Sequence, residues 1–218
     1  TAVAFNGTFG DATTLTAAVV SGDSTLSVDD EGDIQAGDLV SIDSDGALLN
    51  YDRGSAIGRF KQEMARVKAV SEGTLVLEGR TWNSYSITGY TVTVQAIRPV
   101  RNVTVRDLKV LGAGSDYQTV GLSVGYFDGL TVDNVTAEGV GQIGLYPRWG
   151  FDAKVTNCTF TDCDKDGHGY GVDFLKVHHG KAVNCYGARN RHSFDAHQSR
   201  DISYIGCTAE DDRAQGFS

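Results

Sequence analysis

Val103-Thr-Val-Arg-Asp-Leu108, Leu130-Thr-Val-Asp-Asn-Val135, Ala153-Lys-Val-Thr-Asn-Cys158, Gly180-Lys-Ala-Val-Asn-Cys185 and Ile202-Ser-Tyr-Ile-Gly-Cys207 are five versions of one strand signature, spaced by 27, 23, 27 and 22 residues. That interval is too short for a domain and suits one coil of a stacked solenoid. A second signature follows each: Gly121-Leu-Ser-Val124, Gly144-Leu-Tyr-Pro147, Gly171-Val-Asp173, Ser193-Phe-Asp195 and Gly216-Phe-Ser218. Each coil therefore holds at least two strands separated by turns. The sequence predicts an all-β chain whose later part, residues 98–218, is a parallel β-helix, right-handed by the general preference of parallel crossovers.

Stacked parallel strands lie about 4.8 Å apart, and their side chains alternate between core and solvent. Equivalent residues of successive coils then form columns. If Leu122, Leu145, Val172, Phe194 and Phe217 fill one inward column, Ser123, Tyr146, Asp173, Asp195 and Ser218 point outward. Arg148 and His197 share that outward parity, and Arg191 precedes Phe194 by three, so these groups and the two aspartates are expected on one exposed sheet face. His192 has inward parity and reads as a core or turn-bracing histidine. Cys158, Cys185 and Cys207 fall in a second inward column, where they are expected to be buried free thiols. Asn134, Asn157 and Asn184 form a turn column beside them.

Bulk properties narrow the function. The 27 glycines and two prolines among 218 residues suit a chain of strands and tight turns. No apolar run is long enough to cross a membrane, so membrane insertion is not expected. A net charge of −9 argues against a nucleic-acid binder. The acidity is uneven: residues 1–100 carry 13 acids and 7 bases, residues 101–218 carry 15 and 12. The solenoid can thus hold a local basic patch for an acidic ligand. No cofactor or metal is called for: no paired Cys or His spacing of zinc type occurs, and calcium is possible but not indicated. Residues 1–97 lack the column signature but alternate in strands such as Asp38-Leu-Val-Ser-Ile42, Thr74-Leu-Val-Leu77 and Tyr90-Thr-Val-Thr-Val94. They read as an N-terminal β cap or small β subdomain. The chain ends within a coil at Gly216-Phe-Ser218, so further coils or a partner are expected beyond Ser218.

On these signatures, with Gly37-Asp-Leu-Val-Ser-Ile42 and Asn102-Val-Thr-Val-Arg-Asp-Leu108 as lead-in, residues 38–218 resemble the pectate-lyase-like right-handed parallel β-helix superfamily. That superfamily includes tail spikes and tail fibres of bacterial viruses that bind or cut host surface polysaccharide. Locally, Ser193-Phe-Asp-Ala-His197 is similar to the Gly-Phe-Asp-Pro-His motif of alginate C5-epimerases, whose Asp and His belong to the active site. Asp195 and His197 correspond, Ala196 replaces the proline, and His192 stands where those enzymes carry a proton-transferring tyrosine. The resemblance implies an extracellular or virion-associated, polysaccharide-recognising protein, with a homotrimer among its possible assemblies. Two other readings stay open: a polysaccharide lyase or uronate epimerase, and a purely structural virion or adhesin component.

Chemistry assigns provisional roles on the shared face. A guanidinium pairs bidentately with a carboxylate, so Arg148 and Arg191 are candidate clamps for an acidic sugar. His197 is the candidate base, Tyr146 the candidate acid, and Asp195 the group that orients His197. For a hydrolase the needed pair is two carboxyls about 5 to 9 Å apart, which Asp173 and Asp195 would supply. Trp149 can stack on an apolar sugar face.

Overall fold

The computed structural model describes residues 2–47, 60–114, 119–164 and 167–218, and among them only strands, turns and bends occur. It divides into two compact units. One, Thr8–Arg98, is an antiparallel sheet of six strands: β2 (Thr8–Thr14), β3 (Thr25–Ser27), β4 (Leu39–Ala47), β5 (Phe60–Ser71), β6 (Thr74–Leu77) and β7 (Val92–Arg98). Their spatial order is β2-β7-β4-β5-β6-β3. The alternation seen in the sequence fills its core: Leu26, Val40, Ile42, Val67, Leu75 and Val94 are buried together.

The other unit is the solenoid, running from Pro99 to Ser218. It comprises β8 (Val100–Gly114), β9 (Val120–Val140), β10 (Ile143–Thr156), β11 (Thr159–Thr161), β12 (Tyr170–Val183), β13 (Tyr186–Ala188), β14 (His192–His197), β15 (Ser203–Ile205) and β16 (Thr208–Glu210). Among the described residues all of its pairings are parallel, and they keep register from coil to coil except for a shift between Leu111 and Gly114 at the end of β8. A short strand from the chain's start, β1 (Val3–Asn6), joins this unit, pairing Val3 with Leu122 and Asn6 with Gly125. β1 and the residue after it, counted with the N-terminal subdomain in the sequence, thus belong with the solenoid.

The inward column runs Val3, Leu122, Leu145, Val172, Phe194, Phe217. Leu122, Leu145, Val172 and Phe194 have no exposed surface. Cys158, Cys185 and Cys207 also stack in register, and all four thiols are free. Burial pushes the Cys163 thiol up to about 12, as expected of an inert packing group. Cys158 and Cys185 are buried, but Cys207 is only half-buried, because among the described residues no strand stacks on the far side of its rung.

The coils bend at four aligned columns of residues in the left-handed conformation. One is Asp107, Asn134, Asn157, Asn184 and Gly206, all with φ between 52° and 61°. Short polar side chains tolerate this geometry because they hydrogen-bond locally. Here Asn134 Nδ2 donates to Asp107 Oδ1 at 2.8 Å and Asn157 Nδ2 to Asp133 Oδ1 at 2.9 Å. The stacked asparagines are therefore structural.

A second polar staple closes the coil ends. Fully buried Asn190 accepts from Cys163 N at 2.8 Å and donates to Phe160 O and to Ser193 Oγ, each at 2.9 Å. Asp212 then accepts from Asn190 N, Ser193 N and Ser193 Oγ. Replacing Asn190 by Ala would strip partners from two buried backbone groups, at about 1–3 kcal/mol for each. Urea unfolding of Asn190→Ala should show that loss, and an unchanged midpoint would refute the staple.

Candidate functional site

Asp173 on β12 and Asp195 on β14 are direct register partners on adjacent rungs, flanked by the inward pairs Val172–Phe194 and Phe174–Ala196. Parity therefore points both carboxylates out of the coil. They do not reach solvent as the sequence led us to expect: Asp173 is 5% and Asp195 4% exposed. Tyr146, Tyr170, His192 and His197 crowd over them, and these large groups come from three different rungs.

His197 joins the two acids. Its Nδ1 lies 3.0 Å from Asp173 Oδ1 and its Nε2 lies 3.6 Å from Asp195 Oδ2. The orienting carboxylate is thus Asp173, not Asp195, whose Oδ1 instead accepts from Ala196 N at 2.8 Å. The Asp173 hydrogen bond holds the His197 pKa above its ordinary value, against the effect of burial. Burial pushes the Asp173 carboxyl upward, while His197 pulls it down. Side-chain exposure is 36% for His197 against 7% and 6% for the acids, so the imidazole is the member of the trio that meets solvent.

The two arginines part company. Arg191 stays at the acid centre, where its Nη1 donates to Tyr170 Oη at 2.8 Å and its guanidinium lies 5.7 Å from that ring's centre. Arg148 leans away, toward the first rung, with Nη2 3.3 Å from Asn6 Oδ1. Glycine at 125 makes this possible: a Cβ there would sit 2.6 Å from Asn6 Oδ1 and 3.2 Å from Arg148 Nε. The Arg148 guanidinium lies 5.6 Å from the Tyr146 ring and 5.2 Å from the Trp149 ring. Trp149 stacks on Tyr126 with ring centres 4.8 Å apart. Burial, then Asp173, pushes the Tyr146 hydroxyl pKa upward and keeps it protonated.

Sequence reasoning missed Tyr170 and gave His192 inward parity, although its reading of His192 as a turn-bracing residue agrees with the buried ring's contact to Gln215 O. The structure stacks these two rings at 5.5 Å and 15°, with His192 Nδ1 3.0 Å from Gln215 O and the Tyr170 ring edge-on to His197 at 5.7 Å. The parity argument failed because the alternation breaks one residue later. A Cβ on Gly171 would meet Phe160 Cβ at 2.9 Å and Asn190 Nδ2 at 3.3 Å, so Gly171 faces the interior immediately before inward Val172. Two consecutive inward residues turn Tyr170 and His192 outward. The column of small residues Gly121, Gly144, Gly171 and Ser193 was the available sign of that corner.

Among the described residues no group of three or more His, Cys, Asp or Glu side chains is arranged to hold a metal ion. The arrangement offers proton transfer through His197, beside hydrogen-bonding and aromatic groups suited to hydroxyl-rich ligands. A histidine whose folded pKa is raised stabilises the fold fully below its unfolded value of 6.5 and loses that contribution as pH rises through the folded value. The buried Asp173 carboxyl, also raised, acts with the same sign at lower pH. The melting temperature should therefore fall as pH rises above 6.5 through the raised value of His197. His197→Gln should melt lower and show a flatter profile, and a parallel profile would exclude the pairing.

Three solved structures share the architecture. The tailspike protein gp49 of Pseudomonas phage LKA1 matches with a TM-score of 0.76 and 23% identity, over 94% of this chain and 35% of that one. The gp54 tailspike of Acinetobacter baumannii bacteriophage AP22, solved in complex with A. baumannii capsular saccharide, matches at 0.75 and 17%, over 94% and 35%. The gp61 tailspike of Pseudomonas phage phi297 matches at 0.73 and 22%, over 95% and 32%. This chain thus spans about a third of the length of each. No curated protein sequence matches it. The family model described as a right handed beta helix region matches residues 94–218, more than half of the chain, and the protein belongs to that right-handed β-helix family.

Proposed function

We propose that this is a virion-associated protein of tail-spike type whose outer solenoid face binds a bacterial surface polysaccharide and breaks it at the Asp173–His197–Asp195 centre. The observation that carries this reading is the pair of stacked, buried carboxylates joined by one half-exposed imidazole. A regular solenoid has no need of that arrangement, because burying charge is costly unless it is paired. The saccharide-bound tailspike of phage AP22 supports a polysaccharide as the ligand class. Trp149, Tyr146 and Arg148 extend the same face toward the first rung and line the ligand on this reading. Assembly as a homotrimer fits the same reading.

The burial of both acids favours one chemical mode over another. A hydrolase of the two-carboxylate kind needs both groups at the sugar. Here His197 is the group that meets solvent, so the centre favours imidazole-mediated proton transfer, as in elimination or epimerisation of an acidic sugar.

The test is incubation with a panel of bacterial capsular and uronic polysaccharides, with binding followed by calorimetry. Binding of at least one polymer is expected, with product formation abolished in His197→Ala. Unsaturated product absorbance marks elimination, and new reducing ends without it mark hydrolysis. A panel that yields no binding sinks the reading.

A further inference from the structure

We propose that Tyr170, held by Arg191, is the proton donor of this centre: it protonates the departing oxygen while His197 takes up a proton on the other side of the reaction. The inference rests on the function proposed above and adds a residue that the sequence did not single out.

Burial leaves few groups able to meet a ligand. Asp173 and Asp195 are covered, so chemistry at the surface falls to the groups that cover them. Tyr170 is half-buried, lies edge-on to His197 with ring centres 5.7 Å apart, and is clamped from both sides. Its face rests on His192, which is fixed in turn by the contact of its Nδ1 with Gln215 O. Its hydroxyl oxygen accepts from Arg191 Nη1 at 2.8 Å, which leaves the phenolic hydrogen unconstrained by that bond. Burial raises the Tyr170 pKa above 10.0, so the resting group carries its proton, while the Arg191 cation favours the phenolate that forms on donation. Tyr146 also has a cation near it, but the Arg148 guanidinium lies over its ring and reaches for Asn6.

The step balances. The Tyr170 O–H bond breaks and its proton joins the bridging oxygen, which leaves with the electron pair of the C–O bond. His197, once deprotonated at a pH above its raised pKa, accepts one proton, either from the carbon beside the acid group, whose C–H electrons form the new double bond, or from an attacking water. One proton leaves the pair and one enters it, so its total charge is unchanged. Transfer of a proton from His197 through solvent to the phenolate resets the site.

Tyr170→Phe keeps the stack on His192 and removes only the hydroxyl. The probe is the panel polysaccharide that the wild-type protein turns over. In Tyr170→Phe kcat should fall by about 10²–10⁴-fold, the range of general acid catalysis, with KM and melting temperature close to wild type. Arg191→Lys, which keeps the cation, should retain more kcat than Arg191→Met. Wild-type kcat in Tyr170→Phe overturns the inference and leaves the proposed function standing. A loss confined to KM or to melting temperature overturns it as well, in favour of a binding or structural role. Wild-type protein that binds the panel without forming product overturns both this inference and the catalytic half of the proposed function.

Discussion

Every coil of this solenoid must bend at the same four places, because parallel strands keep their register only if successive turns superpose. The bends are made by residues in the left-handed conformation, which costs an ordinary side chain about 1–2 kcal/mol. Three of the four columns draw largely on asparagine, aspartate and glycine, with His179 and Arg189 the exceptions, and each of the three includes a glycine. The fourth does not. Tyr126, Trp149, Lys176 and Gln198, with φ between 50° and 53°, make up a corner with neither Gly nor Asn. Stacking of Tyr126 on Trp149 offsets part of its cost. Each of the last three residues directly follows a position on the candidate face, namely Arg148, Leu175 and His197. Backbone strain retained beside a cluster of titratable groups is the pattern expected of a working site.

The same register that stabilises the core makes the acid centre expensive. Direct pairing of Asp173 with Asp195 sets two carboxylates one rung apart, where like charges repel and burial removes the water that would screen them. An imidazolium between them is the economical remedy, since one cation faces both acids. Charge, burial and register thus form one problem with one answer, and His197 cannot be replaced by a residue that serves only one of the acids.

The period of the strand signatures, the inward columns and the aligned asparagines were all legible because they repeat, and repetition survives substitution at any single coil. Strands of the N-terminal sheet were legible for a different reason, their strict alternation around Leu26, Val40 and Leu75. What could not be read lies where the pattern is interrupted or too short. β1 offers only Val3-Ala-Phe-Asn6, with too few residues to display a column, although it supplies the first rung. His192 was assigned inward by counting across Ser193, whose corner position breaks the count. The covering of Asp173 and Asp195 was illegible in principle: the groups responsible come from different coils, and local sequence does not say how far a tyrosine on one rung leans over its neighbour.

Coverage of the acids also decides how stability and activity are divided at this face. An exposed carboxylate contributes little to folding, so a solvent-facing pair would be free to serve catalysis alone. Asp173 and Asp195 have no such freedom, because any substitution there alters the charge environment of His197 and the packing of Tyr146 and Tyr170 together. Loss of function in an aspartate variant therefore does not by itself assign a catalytic role to the aspartate. The half-exposed groups above them are where chemistry and folding separate: Tyr170 keeps its ring contacts when it loses its hydroxyl, whereas the acids below have no part they can lose without disturbing the rung. The physical layering of this site, acids beneath and proton carriers above, is what makes its function open to experiment.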